Sequence, residues 1–315
     1  MVKTNSFQAW VLAARPKTLT GAIAPVLVGV AFAFSQLSTF NAQLSALLCF
    51  LFAILMQIDA NLINDYFDFK KGTDREDRLG PERACAQGWI TPHAMLWGIG
   101  VMTLLSCLVG VAILFIHMQW ELLIVGALCV LFCFLYTTHL SYLGWGDLLV
   151  LIFFGLVPVI FTYYVVTAGE WNIPLVIASL AMGLATDNLL MVNNYRDRHQ
   201  DKVSGKRTII VRIIEANSKR YGDEEGRKKR EKFCLLLYLW LGIVATLLAA
   251  ISLFLTASFP MIGLKWGLLL IYLFLHFKTF RQMKALEGKA LNAVLGATAR
   301  NIFLFGFLLA VSILL

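Results

Sequence analysis

The sequence predicts an all-α fold, a multi-pass membrane bundle of about nine transmembrane helices around a central cavity. Three observations carry this expectation. Of 315 residues, 59% are hydrophobic and only 15% charged, whereas a soluble domain is about a quarter charged, so the surplus apolar surface must face lipid. The apolar residues gather into nine runs, near 18–37, 44–63, 94–116, 119–138, 147–167, 173–193, 233–255, 259–277 and 293–315, each close to the roughly 20 residues that cross a bilayer. Counting loops alternately from a cytoplasmic N-terminus puts every Lys and Arg outside the apolar runs on one side, which is 25 of the 27, with Lys265 and Arg300 inside the eighth and ninth runs, as the positive-inside rule requires. The chain therefore reads as a single membrane-embedded domain over 1–315 in the inner (cytoplasmic) membrane, with the N-terminus cytoplasmic and the C-terminus external. The net charge of +8 sits in loops between apolar runs and forms no nucleic-acid-like patch, so no nucleic acid partner is expected.

Taken in order, the chain opens with Arg15-Pro16-Lys17-Thr18, two cations beside a Pro suited to the first position of a helix. Gly and Pro inside the runs (Pro25, Gly29, Pro158, Gly183) are tolerated in lipid, where neighbouring groups satisfy the freed backbone. The second run closes in Asn61-Leu62-Ile63-Asn64-Asp65-Tyr66-Phe67-Asp68, with Lys70, Lys71, Asp74, Arg75, Asp77 and Arg78 behind it. Only His117 and Met118 separate the third and fourth runs. The loop from Tyr136 to Asp147 contains no Lys or Arg. The sixth run closes in Asn193-Asn194-Tyr195-Arg196-Asp197, followed by Asp201, Gly205 and Lys206. The charged segment 215–232 reads as a solvated extension near anionic headgroups. The first 17 residues contain Lys3, Arg15 and Lys17 and no signal-type apolar core, so no cleavable signal is expected. Five of the six Cys lie in or at the ends of apolar runs, where a thiol acts as a small hydrophobe. Cys129 and Cys133 lack an adjacent His, and none of the five His residues pairs at ligand spacing, so none of these residues is expected to bind metal.

The two closing motifs share the pattern Asn-(Asp/Asn)-Tyr-x-Asp, each where apolar sequence gives way to charge. Both end even-numbered runs and so emerge on the same face, which suggests two related halves around one site. Carboxylates at membrane depth are expensive and usually functional. On a helix, Asn64 and Asp68 share a face, as do Asn193, Asp197 and Asp201. Oxygen donors without His or Cys suit Mg²⁺, which takes one or two carboxylates, waters and phosphate oxygens. The surrounding Lys70, Lys71, Arg75, Arg78, Arg83, Arg196, Lys206 and Arg207 complete a set suited to a diphosphate. Placed at a membrane face, that diphosphate belongs to an amphiphile such as a polyprenyl diphosphate. Tyr66, Tyr136 and Tyr195 are then candidates to shield an allylic cation. Against this stands the plain alternative that Asp residues near span ends pair with Lys and Arg as a solvated rim. That reading suits Asp74 and Asp77, and it leaves Asp59 and Asp187, inside the second and sixth runs, open between structure and cavity lining.

The chain resembles the intramembrane aromatic prenyltransferases of the UbiA-type superfamily, and among them the branch that uses 1,4-dihydroxy-2-naphthoate. Carrying the match are Arg15-Pro16-Lys17-Thr18-Leu19, Asn61-x-x-Asn64-Asp65-Tyr66-x-Asp68, Lys71-Gly72-x-Asp74-x-x-Asp77-Arg78-x-Gly80-Pro81-x-Arg83, Gln87-Gly88, Tyr136-Thr137, Gly144-x-Gly146-Asp147 and Asn193-Asn194-x-Arg196-Asp197-x-x-x-Asp201-x-x-x-Gly205-Lys206-x-Thr208. The resemblance implies Mg²⁺-dependent transfer of a polyprenyl group from polyprenyl diphosphate to 1,4-dihydroxy-2-naphthoate, with loss of diphosphate and CO₂, in menaquinone biosynthesis. It implies metal–diphosphate roles for Asn64, Asp68, Asp197 and Asp201, with Asp65 in the same cluster. Arg15, Lys17, Lys71, Arg78 and Lys206 would meet the diphosphate or the naphthoate carboxylate, and Asn61, Tyr66, Tyr136, Asn193 and Arg196 would complete substrate binding. The alternatives are another acceptor, such as 4-hydroxybenzoate or homogentisate, and a cation-coupled transporter. Transporter carboxylates, however, lie at midplane, whereas these end the spans among cations.

Overall fold

The computed structural model describes residues 2–37, 39–72, 78–167, 169, 171–216, 224–256 and 261–315, so Asp74, Arg75 and Asp77 lie outside the described residues. Helix follows apolar length throughout. In chain order the elements are α1 (Phe7–Ala14), α2 (Pro16–Phe34), α3 (Phe40–Lys70), α4 (Pro92–His117), α5 (Glu121–Leu135), α6 (Gly146–Leu151), α7 (Val157–Thr167), α8 (Ile173–Val203), α9 (Ile209–Glu215), α10 (Glu224–Thr256), α11 (Ile262–Ala285) and α12 (Leu291–Leu314). A π-helical turn, Tyr136–Leu140, continues α5, and another, Ile152–Leu156, joins α6 to α7 into one span. Among the described residues, nine helical stretches are long and apolar enough to cross a membrane, in agreement with the nine runs.

The ends of these helices have local causes. Thr39, Thr91 and Asn172 cap α3, α4 and α8 by accepting from the backbone N–H three residues on, which satisfies a donor the helix leaves unpaired. Pro16 starts α2 at its first position, after Arg15 breaks from α1 with a left-handed φ of 50°. His117 and Met118 do separate two helices, because Met118 takes φ 52° and closes α4. The short α1, which apolar run length did not foretell, packs beside α3 and α4 through Ala9 and Ala13. The beginning of the charged segment after α9 is outside the described residues, and from Glu224 it forms the first turns of α10.

Two helices matter most for the site. α3 and α8 are both 31 residues long, and both run past their apolar stretch, so the two Asn/Asp motifs ride on helical backbone. α10 packs along α8, α12 along α2, and α4 along α3. Polar residues remote from the motifs have structural partners. His276 stacks between Tyr238 and Tyr272, with ring centroids 4.8 and 5.6 Å away, and the His117 ring meets the Ser45 hydroxyl at 2.8 Å.

Small residues let α8 approach the α6–α7 span. A Cβ on Gly155 would lie 2.6 Å from the Ser179 carbonyl oxygen and 2.7 Å from Gly183 Cα, and one on Gly183 would lie 2.9 Å from the Leu151 carbonyl oxygen. Backbone cannot yield as a side chain can, and such close approach is what holds helices together where lipid offers no hydrophobic drive. Gly183→Leu is therefore expected to destabilise the protein by about 3 kcal/mol or more, the upper range for overpacking. Gly100→Leu, on an exposed face with nothing near its Cβ, should be neutral. Thermal unfolding in detergent compares the two directly.

Candidate active site

A cavity of about 700 Å³ lies between α2, α3, α5, α6–α7 and α8. Its wall on α3 runs from Asp68 to Cys49, about 28 Å at 1.5 Å per residue. One end carries Asn64, Asp68, Asp197, Asp201 and Lys206, while the other is lined by Phe52, Ile113, Phe161 and Val165. The polar end exists because α3 and α8 each place a stripe on it. Residues 60, 64 and 68 of α3 and residues 190, 194, 197 and 201 of α8 all line the cavity, at the three- and four-residue spacing that keeps side chains on one helix face.

Each carboxylate there has a cation. Asp68, 6% exposed, accepts from Arg83 Nη2 at 3.2 Å and lies 4.0 Å from Lys206 Nζ. Asp197 accepts two bonds from its neighbour Arg196, at 2.7 and 2.6 Å. Arg196 also donates to Asn292 Oδ1 at 2.7 Å, and Asn292 Nδ2 donates to the Leu79 carbonyl oxygen at 2.8 Å, so α12 and the 78–83 segment close around the same guanidinium. Burial alone would lower the Lys206 ammonium, but the carboxylates of Asp68 and Asp201 outweigh it and hold the group above the ordinary lysine range. Lys206 thus feels one acid from each motif. Lys71 is lowered, chiefly by burial. Its Nζ donates to the Thr138 carbonyl oxygen at 2.7 Å and sits 4.0 Å from the Tyr142 ring centroid, with Lys206 Nζ 5.0 Å from that same centroid.

The candidate residues divide. Asn64, Asp68, Asn193, Arg196, Asp197, Asp201 and Lys206 come together on the cavity wall, with Arg15, Asn61, Arg78 and Tyr136 around them. Asn64 Oδ1 accepts from the Thr137 hydroxyl at 2.6 Å. Asn61 Nδ2 donates to the Ala14 carbonyl oxygen and the Thr18 hydroxyl, both at 2.9 Å, which ties α3 to the start of α2. Arg78 donates to the Pro81 carbonyl oxygen at 3.0 Å.

Five expected site residues stand elsewhere. Asp65 points one position round the helix and, 1% exposed, accepts from the Ala84 and Cys85 backbone N–H groups at 2.8 and 2.9 Å, with Arg15 at 3.8 Å. It anchors the segment after α3 and is not part of the acidic cluster on the cavity wall. Tyr66 packs edge-on against Phe67 in the cluster formed with α1 and α4. Tyr195, named beside it as a possible cation shield, lies under Arg198 at 4.3 Å. Lys17 is exposed, and Lys71 lies beside the cavity, held by the π-turn after α5. Conversely, the sequence assigned no role to Thr137, Tyr142 or Asn292. Thr137 and Tyr142 sit in the cation-free 136–147 loop, whose lack of charge was the available signal, and Asn292 carried none.

The donor set fits Mg²⁺. Asn64, Asp68, Asp197 and Asp201 offer only hard oxygen atoms, and among the described residues no three His, Cys, Asp or Glu side chains converge into a cage. A sparse set of that kind suits an ion that keeps waters and takes phosphate oxygens.

Residues 22–292 match the model of the UbiA prenyltransferase family. The chain is 39% identical over 223 residues to a 1,4-dihydroxy-2-naphthoate octaprenyltransferase of Escherichia coli, covering 68% of this chain and 71% of that protein. It is 35% identical to the protein of the same name from Mycobacterium tuberculosis, covering 68% and 73%. Its fold is similar to a structure of digeranylgeranylglyceryl phosphate synthase, with a TM-score of 0.60, 18% identity and 98% of both chains covered. It is also similar to a UbiA homologue from Archaeoglobus fulgidus bound to DMAPP and Mg²⁺, with a TM-score of 0.57, 14% identity, and 96% and 99% covered.

Because Asp65 supports backbone, its loss should register first in stability. Asp65→Ala leaves two buried N–H donors without an acceptor and is expected to cost about 2–4 kcal/mol, read as a lowered thermal midpoint in detergent. An unchanged midpoint would return Asp65 to the chemistry.

Proposed function

Because this chain belongs to the UbiA prenyltransferase family, we propose that it transfers a polyprenyl group from polyprenyl diphosphate to 1,4-dihydroxy-2-naphthoate. Diphosphate and CO₂ leave, and the product is the quinol form of demethylmenaquinone, a step of menaquinone biosynthesis. The single observation that carries this reading is the cavity itself. It has one charged end, built from both Asn/Asp motifs, and one apolar end, and so matches an amphiphile with a diphosphate head and a hydrocarbon tail. The names of the relatives supply the acceptor.

The residues would divide the work by position. Asn64, Asp68, Asp197 and Asp201 would hold Mg²⁺, which when bound neutralises diphosphate oxygens and makes the group a better leaving group. Lys206, between Asp68 and Asp201, and Arg15 and Arg78 on the same wall would face the departing head. Fixed positive charges there stabilise the negative charge that develops on it. Arg83 and Arg196 are committed to Asp68 and Asp197. Their part is to hold the acids in place against mutual repulsion. Tyr136, at the boundary between charged and apolar wall, presents an aromatic face to the carbon that loses diphosphate. The apolar wall below excludes water, so that the allylic carbon meets the acceptor ring and not a hydroxide.

The same reading places the protein in the inner membrane, with the charged end of the cavity and the N-terminus on the cytoplasmic side and the whole of 1–315 acting as one catalytic domain. The asymmetry of Lys and Arg supports it.

Purified protein supplied with Mg²⁺, polyprenyl diphosphate and a panel of acceptors is expected to prenylate dihydroxynaphthoate in preference to 4-hydroxybenzoate and homogentisate, with the product identified by mass. Asp68→Ala and Asp197→Ala should each lower turnover by roughly 10³-fold or more, the scale of losing a principal electrostatic stabiliser. Both variants should remain folded in detergent. Chelation should abolish turnover and added Mg²⁺ restore it. Undiminished turnover in both variants would refute the assignment of the carboxylates.

A further inference from the structure

Arg196 is 2% exposed, and all three nitrogens of its guanidinium donate. Nε and Nη2 hold the two oxygens of Asp197, and Nη1 donates to Asn292 Oδ1 at 2.7 Å. Asp197 is the next residue along α8, and consecutive side chains on a helix diverge by about 100°. The Arg196 side chain therefore turns round the helix to meet it. Two bonds to one carboxylate would let guanidinium and carboxylate swing together. The third bond, to a residue of another helix, fixes the plane of the fork and so the carboxylate it grips. Asn292 stands in the first turn of α12 and does not line the cavity. Its amide works in both directions, since its Nδ2 donates to the Leu79 carbonyl oxygen at 2.8 Å. The residue after Leu79 closes on the guanidinium itself: a Cβ on Gly80 would lie 2.8 Å from Arg196 Nη2 and 3.3 Å from Cζ. Three residues further on, Arg83 donates to Asp68 Oδ2 at 3.2 Å.

A continuous set of contacts thus runs from Asp197 of the second motif, through Arg196, Asn292 and the 79–83 segment, to Asp68 of the first. On the functional reading above, on which this inference rests, Asp68 and Asp197 serve one Mg²⁺–diphosphate. Mg²⁺ demands near-ideal octahedral geometry, so the spacing of acids drawn from two helices decides how well it binds. We propose that Asn292 is a positioning residue, which sets that spacing by tying Arg196 to the segment that carries Arg83. It acts through Arg196 and the backbone and touches neither metal nor substrate. The residue type fits the task. Arg196 offers only donors and the Leu79 carbonyl only an acceptor, and among side chains of that size and shape only a carboxamide serves both. An ionised aspartate would have no donor for Leu79, and a leucine would have neither group. Gly80 fits for a second reason, because any side chain there would push the guanidinium off Asp197 or lift the segment away.

The test uses Asn292→Leu, which removes both bonds at nearly constant volume, and Gly80→Ala, which drives a methyl group against Arg196 and leaves Asn292 in place. Mn²⁺ is titrated into detergent-solubilised protein holding an unreactive polyprenyl thiodiphosphate, and free Mn²⁺ is read by its paramagnetic resonance. The Kd for Mn²⁺ should rise about tenfold or more in both variants, within the roughly 10- to 100-fold lost when a residue that orients a metal ligand is removed. In turnover, the KM for polyprenyl diphosphate should rise with it, while the KM for 1,4-dihydroxy-2-naphthoate stays within about twofold. A merely structural role would lower the thermal midpoint and leave the metal affinity alone. A Mn²⁺ Kd for Asn292→Leu within about twofold of wild type therefore overturns the proposal, and so does an equal rise in the two Michaelis constants. If Asn292→Leu is not recovered folded, Gly80→Ala decides alone by the same criteria. Wild-type protein that binds no Mn²⁺ beside the thiodiphosphate overturns the functional reading of the acids and this assignment with it. Equal Mn²⁺ binding in wild type and variants overturns only the role of Asn292.

Discussion

Asp68 ends an apolar helix at a point nearly closed to water, and a carboxylate so placed cannot stay charged without a cation close by. Arg83 and Lys206 supply it from two different stretches of chain. Much of the surrounding structure serves that pairing. Arg83 arrives because the segment after α3 turns back, and it turns back because Asp65, one position round the helix from Asn64, accepts its backbone at Ala84 and Cys85. Lys206 arrives because α8 continues past its apolar stretch and ends at Ser204, where the next backbone turns. The desolvation of each charge offsets much of its attraction, so such pairs add little to stability. What they secure is position: acids from two helices held near each other, with cations between them.

The second constraint is the contrast along the cavity. Helices α3 and α8 each carry an unbroken face from carboxylate to aromatic or aliphatic side chains, and the close Gly155–Gly183 approach brings α8 against the α6–α7 span. α10 and α11 contribute no lining residue, and α10, with α12, supports α8 from outside. The chemistry therefore rests on one set of helices and the rigidity on another, which is how a site in lipid can keep its geometry without a water-driven core.

Much of this was legible in the chain. Apolar run length gave the helices, because a bilayer fixes the length of whatever spans it. The paired Asn-x-Tyr-x-Asp motifs marked the charged end, because charge at membrane depth is too expensive to be casual. Helical spacing alone put Asn64 with Asp68 and Asp197 with Asp201. The same spacing rule already set Asp65 apart by one position, about 100° round a helix, and its role as a backbone anchor follows from that turn. Tyr66 and Tyr195 share a motif with the acids but not their face, which is why both pack into neighbouring helices and leave Tyr136, of the three tyrosines, on the wall.

What the sequence determined by itself is whatever depends on one segment meeting its solvent: nine lengths of helix for lipid, their polarity, and which residues share a face. What only the tertiary structure decided is which faces meet. Lys206 between Asp68 and Asp201, Asn292 of the last helix beneath Arg196 and Thr137 on Asn64 join residues far apart in the chain. No local pattern encodes such pairs, because they are set by how whole helices pack, and packing sums many weak contacts that no single motif contains.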